Sequence, residues 1–159
     1  MFLYRVLKKI TLASCLLITF LVLVSYVNAL GCQFTVKHLS PQTDTNIEIY
    51  STCNSGIVTT RITNKIKPSD VVFEMKTYMF TLYGHQVAYV DSWNKEDVEK
   101  TLFSPFYITF NNSIFLHSSV NRFNKEWIGV HMDNPINLSY LGKIEGYLSL
   151  QDRFNLADE

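Results

Sequence analysis

The N-terminal region is the feature that most constrains how this chain can fold. A flank of nine residues (1–9) carries three cations and no acid, and an apolar stretch of eighteen residues, Ile10 to Val27, follows it directly. Four serine and threonine residues interrupt the stretch: Thr11, Ser14, Thr19 and Ser25. A helix needs about 17–25 apolar residues to cross a bilayer, whereas the apolar core of a signal peptide has about 7–15. The sequence therefore predicts a membrane-directed segment over residues 10–29 and a separate domain beyond it.

Three fates of this segment are compatible with the sequence. The first is an uncleaved transmembrane anchor. The second is cleavage before Leu30, because Val27-Asn28-Ala29 supplies the small residues of a signal-peptide cleavage site. The third is lipidation of Cys32, because Ala29-Leu30-Gly31-Cys32 partly matches a bacterial lipidation site, with Ala where Leu is usual. In each case the basic flank stays in the cytoplasm and residues 32–159 cross the membrane.

The charge of the exported domain argues against a nucleic-acid binder. Three of the 14 basic residues lie in the flank, so the rest of the chain has 11 basic and 14 acidic residues and a net charge of −3. Proteins that bind nucleic acid present a basic surface to the phosphates. We therefore expect no direct contact with nucleic acid, and any effect on a gene would act through another protein.

The cysteines fit an exported domain. Cys15 lies within the apolar stretch, and Cys32 and Cys53 are the only two cysteines beyond it. An isolated pair in an oxidising compartment most often forms a disulfide, which here closes a loop of about 20 residues and stabilises the fold by roughly 3 kcal/mol. Lipidation of Cys32 would instead leave Cys53 free.

Alternation of apolar and polar residues predicts an all-β domain with one short helix. The predicted strands are Asn46–Ser51, Val58–Ile66, Asp70–Tyr83, Gln86–Trp93, Phe106–Phe110, Ser113–Ser119, Glu126–Met132 and Gly146–Leu150. Gly84-His85 and Asn111-Asn112 predict tight hairpins. A helix over Lys95–Leu102, capped by Asn94, would lie between two strands. Seven or eight such strands predict a small, closed or nearly closed antiparallel barrel, with a sandwich as the alternative.

The sequence contains no motif typical of an enzyme or a metal site. The four histidines do not form a compact metal-binding spacing, there is no G-x-S-x-G segment, and six glycines leave no glycine-rich phosphate loop. We expect no enzymatic activity, no catalytic residue, no metal and no cofactor.

The histidines are candidates for a different role. Histidine changes its charge between about pH 5 and pH 8, so a histidine at an interface can make binding depend on pH. The four candidate pH-sensing residues are His38, His85, His117 and His131. His117 shares a strand face with Phe115 and Ser119, and His131 shares one with Trp127. The alternative for each is an ordinary surface or hydrogen-bonded histidine.

Several features together resemble a known family. They are the basic start, the apolar segment, a cysteine just beyond it, a strand led by glycine, a long aromatic strand, and an acidic helix before a hydrophobic strand pair: Ile10–Val27, Cys32, Gly56–Ile62, Val72–Tyr83 and Leu102–Phe106. In this layout the chain resembles the FidL-like group of small bacterial inner-membrane proteins. Within that group it resembles in particular the MyfF/PsaF type of fimbrial regulatory companion.

The resemblance implies a function. Such companions pair with the periplasmic domain of a membrane-spanning winged-helix transcription activator, in an arrangement similar to the ToxS and VtrC partners of other activators. It implies a single-pass inner-membrane protein with a periplasmic, lipocalin-like barrel that a partner helps to complete as a heterodimer. The companion would stabilise its activator for fimbrial or virulence gene expression and would help it to sense acidity or a small amphipathic ligand. An open barrel suits this role, because its unpaired edge can accept a strand from a partner.

Other functions remain open. A secreted or surface β-sandwich that binds a target, such as a pilus-associated or adhesin-like domain, requires cleavage after Ala29. A ligand-carrying lipoprotein requires acylated Cys32 and a free Cys53. An exported hydrolase would need a cleft with a nucleophile and a base.

Overall fold

The computed structural model describes residues 2–39, 47–64, 71–94, 113–135 and 137–157. A long helix, α1 (Phe2–Leu30), leads into eight strands, and a short helix, α2 (Leu150–Ala157), ends the described chain. The strands are β1 (Gln33–Leu39), β2 (Ile47–Asn54), β3 (Ile57–Asn64), β4 (Val71–Leu82), β5 (His85–Asn94), β6 (Phe115–Arg122), β7 (Trp127–Asn134) and β8 (Leu138–Tyr147).

The eight strands form a closed antiparallel barrel in sequence order. Each strand pairs with the next, and β8 returns to pair with β1 from Gln33↔Tyr147 to Leu39↔Leu141. The predicted barrel is confirmed, and the sandwich is not the fold. Because β1 pairs along its whole length on this side, the seam offers no free edge to a partner strand. The open edge that we expected a partner to complete is therefore absent at this seam.

Most predicted strands agree with the structure to within a few residues, because one face of each is buried. Two strands, β1 and β8, were not predicted. The predicted strand Gly146–Leu150 is wrong, since β8 ends at Tyr147 and α2 begins at Leu150. The predicted helix Lys95–Leu102 and the predicted strand Phe106–Phe110 lie outside the described residues.

The local reason for the helix at the C-terminus is a capping arrangement. Ser149 Oγ accepts a hydrogen bond from the Asp152 backbone N–H at 3.1 Å. The Asp152 carboxylate in turn accepts one from the Leu148 N–H at 2.7 Å. These bonds satisfy backbone donors at the helix start. A helix therefore begins at Leu150, where the alternation of residues had predicted that the strand continues.

Two tight turns shape the end of the barrel that adjoins α1, which we call the base. Ser55 and Gly56 have φ of 52° and 80°, and Tyr83 and Gly84 have φ of 49° and 80°. Positive φ at both central positions is the conformation that joins twisted antiparallel strands through two residues. The second turn lies one residue earlier than the predicted Gly84-His85 reversal.

The interior of the barrel is filled mainly by apolar side chains. The larger buried cluster consists of Ala29, Cys32, Phe34, Val36, Cys53, Met79, Val120, Ile128, Val130, Ile144 and Leu148. A smaller cluster, Met75, Val90 and Leu116, lies toward the middle strands. The larger cluster includes the last turn of α1, so the helix end is part of the barrel core.

The structure contains the Cys32–Cys53 disulfide. It joins the residue just before β1 to β2, with the two Cα atoms 5.8 Å apart. Both cysteines are buried, at 2% and 4% exposure. Cys15 is a free cysteine on the exposed surface of α1.

An enclosed ion pair ties α2 to the base. The Arg122 guanidinium donates from Nε and from one Nη to the two oxygens of Asp152, both at 2.9 Å. It also donates to the Gly146 carbonyl at 2.8 Å. Only 11% of the Arg122 side chain and 15% of the Asp152 side chain are exposed. One cation thus joins the end of β6, the end of β8 and the start of α2.

We predict that Arg122→Ala destabilises the fold. The substitution leaves the Asp152 carboxylate enclosed without its cation, so the free energy of unfolding should fall by about 3 kcal/mol. Urea unfolding of the full chain in detergent, followed by tryptophan fluorescence, measures this change. Arg61→Ala is the matched control, because Arg61 pairs with Glu74 at the surface, with 57% and 37% of the side chains exposed. It should cost less than about 1 kcal/mol, and equal losses in the two variants would contradict the prediction.

Candidate functional site

Two histidines on the outer wall of the barrel share one carboxylate. The β6–β7 register steps from His117↔Asn134 to Ser118↔Met132, so Asp133 is an extra residue in β7. Such a bulge re-aims side chains. Asp133 Oδ2 lies 2.9 Å from His117 Nδ1, and Asp133 Oδ1 lies 2.7 Å from His131 Nε2.

Two further contacts extend this group. His131 Nδ1 lies 2.8 Å from Ser139 Oγ on β8. His85 of β5 stacks on His117 of β6, with ring centroids 6.1 Å apart and planes within 6°. We call His85, His117, His131 and Asp133 the histidine cluster. The fold thus brings three of the four predicted pH-sensing residues together on β5, β6 and β7.

The cluster can accommodate a change of charge. A protonated imidazole donates from both nitrogens, and His131 faces a carboxylate on one side and a hydroxyl oxygen on the other. Asp133 attracts positive charge on either of its two histidines, whereas positive charge on both stacked rings would be repulsive. The His117, His131 and Asp133 side chains are exposed by 39%, 43% and 44%, so all three are accessible to solvent.

An exposed apolar patch borders the histidine cluster. It consists of Val87, Tyr89, Ile114 and Phe115, exposed by 39%, 41%, 62% and 53%. Val87 is the register partner of His117, so the patch and the cluster adjoin. Tyr89 and Phe115 are also register partners, and their ring centroids lie 5.6 Å apart. Contiguous exposed apolar side chains with a polar border are typical of protein interaction surfaces.

The fourth candidate, His38, lies elsewhere. Its Nε2 is 2.8 Å from Ser51 Oγ, which is 2.9 Å from Thr60 Oγ1. The His38 and Tyr140 rings lie 4.7 Å apart. Burial lowers the pKa of His38 to about 4 and raises the pKa of Tyr140. Both rings are therefore neutral near neutral pH, which fits a hydrogen-bonded interior histidine and not a surface switch.

Within the described ranges, no group of three or more His, Cys, Asp or Glu side chains is arranged to hold a metal ion.

Sequence reasoning missed Asp133, Ser139 and the apolar patch. His131 and Asp133 are two residues apart in one strand, so alternation alone could have placed them on one face. The approach of His117 and His85 depends on the pairing of the neighbouring strands β5 and β6. Val87 and Tyr89 alternate on the exposed face of β5, but nothing local distinguishes an exposed apolar face from a buried one.

Comparison of the chain with protein-family models, with curated proteins and with solved structures finds no match. The family resemblance stays a prediction from sequence pattern, and a functional proposal must rest on the chain's own residues.

We predict that His38 makes stability depend on pH. The unfolded chain protonates this residue near pKa 6.5, whereas the folded chain does so only near 4. Between these values the unfolded state binds more protons, so the free energy of unfolding should fall as the pH falls. In His38→Gln this fall should be shallower in denaturant titrations of the full chain at a series of pH values.

The control for this experiment is His85→Gln, which removes an exposed imidazole and keeps His38. It should retain the steeper fall. A His38→Gln variant with the same pH dependence as the unmodified chain would contradict the assignment.

Proposed function

We propose that this chain is a membrane-anchored periplasmic companion of a transmembrane winged-helix transcription activator. It binds the activator's periplasmic domain through the outer wall of β5 and β6, and protonation of the neighbouring histidines changes that binding. The observation that carries the proposal is the exposed apolar patch that adjoins the histidine cluster. The resemblance in sequence pattern supplies the class of partner and the link to fimbrial and virulence gene expression.

Val6–Leu30 is long and apolar enough to cross a membrane, a character that a signal sequence shares. Two observations at the end of α1 favour an uncleaved anchor. Ala29, after which cleavage was predicted, is fully buried. Asn28 Nδ2 donates to the Thr81 carbonyl at 3.1 Å, and Asn28 Oδ1 accepts from the Gln151 N–H at 2.9 Å. A protease would have to unpack this junction to reach the peptide bond.

The disulfide supports an exported location. Disulfides persist in oxidising compartments such as the bacterial periplasm. A disulfide at Cys32 also leaves no thiol for lipidation, which disfavours the lipoprotein alternative. The inner membrane is then the membrane that α1 would span, with the basic flank in the cytoplasm.

The partner would dock on the wall of the barrel. The β1–β8 seam is closed, so a partner need not complete it with a strand. Tyr89 and Phe115 offer two contiguous aromatic rings, and aromatic residues are enriched at the energetic centres of interfaces. The patch and the cluster lie on neighbouring residues, so a partner that covers the patch would also meet His117.

Proton binding can affect such a partner only through a difference in affinity. Acidification adds positive charge around Asp133, and the bound and free states must respond differently for the complex to change. Burial of His117 beneath a partner would make its protonation costly, so acid would weaken the complex. Contact with an acidic residue of the partner would have the opposite effect.

We predict that the exposed apolar patch is needed for partner binding. A tagged full-length chain purified from its native membrane should recover a winged-helix membrane regulator, together with its own uncleaved N-terminus, as identified by mass spectrometry. Tyr89→Ser with Phe115→Ser should lose the regulator, because both rings are removed from the surface. Leu141→Ser is the matched control, an apolar side chain on β8 that is 49% exposed.

Leu141→Ser should recover the regulator as well as the unmodified chain. A chain that starts at Leu30 and brings down no regulator would refute the companion function and would favour a secreted binding domain.

We also predict that partner binding depends on pH. Recovery of the regulator by the unmodified chain should differ between about pH 7.5 and about pH 5.5, the range over which histidine changes charge. The triple variant His85→Gln, His117→Gln, His131→Gln should abolish this difference, because no imidazole of the histidine cluster then remains. His38→Gln, which alters only the interior histidine, should keep it. Unchanged pH dependence in the triple variant would exclude the histidine cluster as the sensor.

A further inference from the structure

The part of α1 beyond the basic flank matches the thickness of a bilayer. Residues 10–30 follow the cations Lys8 and Lys9, and at 1.5 Å per residue they make about 31 Å of helix, whereas the hydrocarbon core of a bilayer is about 30 Å thick. The end of α1 therefore lies close to the bilayer surface, and there α1 packs on β4. The Tyr26 and Phe80 rings lie 5.8 Å apart, and Ala29 is fully buried.

No linker separates the helix from the barrel. Gly31 and Cys32 are the only residues between α1 and β1. A Cβ atom on Gly31 would lie 2.3 Å from the Leu150 side chain, so the junction also packs tightly against α2. The base of the barrel is therefore held beside the part of α1 that leaves the bilayer.

An apolar cleft lies between α1 and the base. Phe20, Val24 and Val27 line one side of it, and Leu82, Tyr83 and Leu150 line the other. Its volume is about 500 Å³, within the range of roughly 300–1,000 Å³ of ligand sites. Phe20 precedes the helix end by ten residues, or about 15 Å of helix axis. The turn at Tyr83 thus reaches down beside a part of α1 that would lie in the bilayer.

The base carries exposed aromatic side chains on three separate elements. Tyr83 is 78% exposed on the β4–β5 turn, Phe123 is 65% exposed after β6, and Phe154 is 67% exposed on α2. The Arg153 guanidinium lies 5.6 Å from the centre of the Tyr147 ring, also at this end. Tyrosine is enriched in the zone between lipid headgroups and acyl chains, exposed phenylalanine occurs on the apolar face of interfacial segments, and arginine binds phosphate.

We propose that the base is a lipid-contact surface and that the cleft between α1 and Tyr83 holds an acyl chain of a phospholipid. This inference rests on the proposed membrane anchor. Tyr83 lies in the interfacial layer of the bilayer that α1 spans, with Phe123 and Phe154 at the same end of the barrel. The lipid covers apolar surface that the fold itself leaves open, and it fixes the direction of the barrel relative to the membrane.

Quenching of tryptophan by brominated phospholipids tests the position of the base. The full-length chain is reconstituted in phosphatidylcholine vesicles with bromine on the acyl chains, and the signal of the unmodified chain is subtracted. Tyr83→Trp should lose emission, more with bromine near the headgroup than with bromine near the chain end. Tyr89→Trp is the matched control on the same hairpin, about 15 Å farther along the barrel wall, and should not be quenched.

A third variant, Leu16→Trp, separates the lipid contact from the anchor. Leu16 is 64% exposed on α1 and does not line the cleft. Quenching of Leu16→Trp without quenching of Tyr83→Trp would overturn the lipid contact and leave the anchor intact. Absence of quenching in both would overturn the anchor and the inference together. Equal quenching of Tyr83→Trp and Tyr89→Trp would mean that the barrel wall lies against the membrane, which also contradicts a lipid contact through the base.

Retention of lipid tests the cleft itself. Native mass spectrometry of the purified full-length chain in detergent should show a bound phospholipid. Val24→Trp fills the cleft from the helix side and should lose that lipid, whereas Leu16→Trp should keep it. The proposal that a phospholipid acyl chain occupies the cleft would be refuted by an unmodified chain without bound lipid, or by a Val24→Trp variant that retains the lipid.

Discussion

The rest of the structure depends on the pairing of β1 with β8. That pairing closes the barrel, and its two strands are also the ones tied to both helices, because α1 runs into β1 and β8 runs into α2. It has a strict steric requirement at Gly146, where φ is 101° and a Cβ atom would lie 2.0 Å from the Gln33 carbonyl oxygen. Cys32 and Arg122 reinforce the same region, the first by its disulfide to β2 and the second by its bonds to the Gly146 carbonyl and to α2.

The sequence predicted the fold where one face of a strand is buried. Val58–Ile66 and Asp70–Tyr83 alternate because β3 and β4 each place one face in the core, and the turn glycines mark where they reverse. The prediction failed for β8, because its glycines interrupt the alternation of apolar and polar residues. Gly142 is needed where β8 packs closely on β1, since a Cβ atom at this position would lie 2.7 Å from a Val36 methyl carbon. The helix α2 was missed although Ser149 and Asp152 have the spacing of a capping motif, because the apolar residues around them also fit a strand.

The candidate site was predictable in its residue types but not in its arrangement. Histidine at a half-exposed strand position indicates possible proton binding, and alternation places His131 and Asp133 on one face. The approach of His117 requires the β6–β7 register and its extra residue, which no local pattern encodes. His38 illustrates the opposite case, since its residue type suggested a sensor and the barrel interior makes it a neutral hydrogen-bonding partner of Ser51.

The contacts of Asn28 bear on how the two sides of a membrane could communicate through this chain. One amide side chain bonds to the backbone of β4 and of α2 at the point where the apolar helix ends. Helix and barrel are therefore joined by side-chain hydrogen bonds as well as by the chain itself. Turning the barrel relative to α1 would break these bonds, so a rotation of the barrel would carry the helix with it.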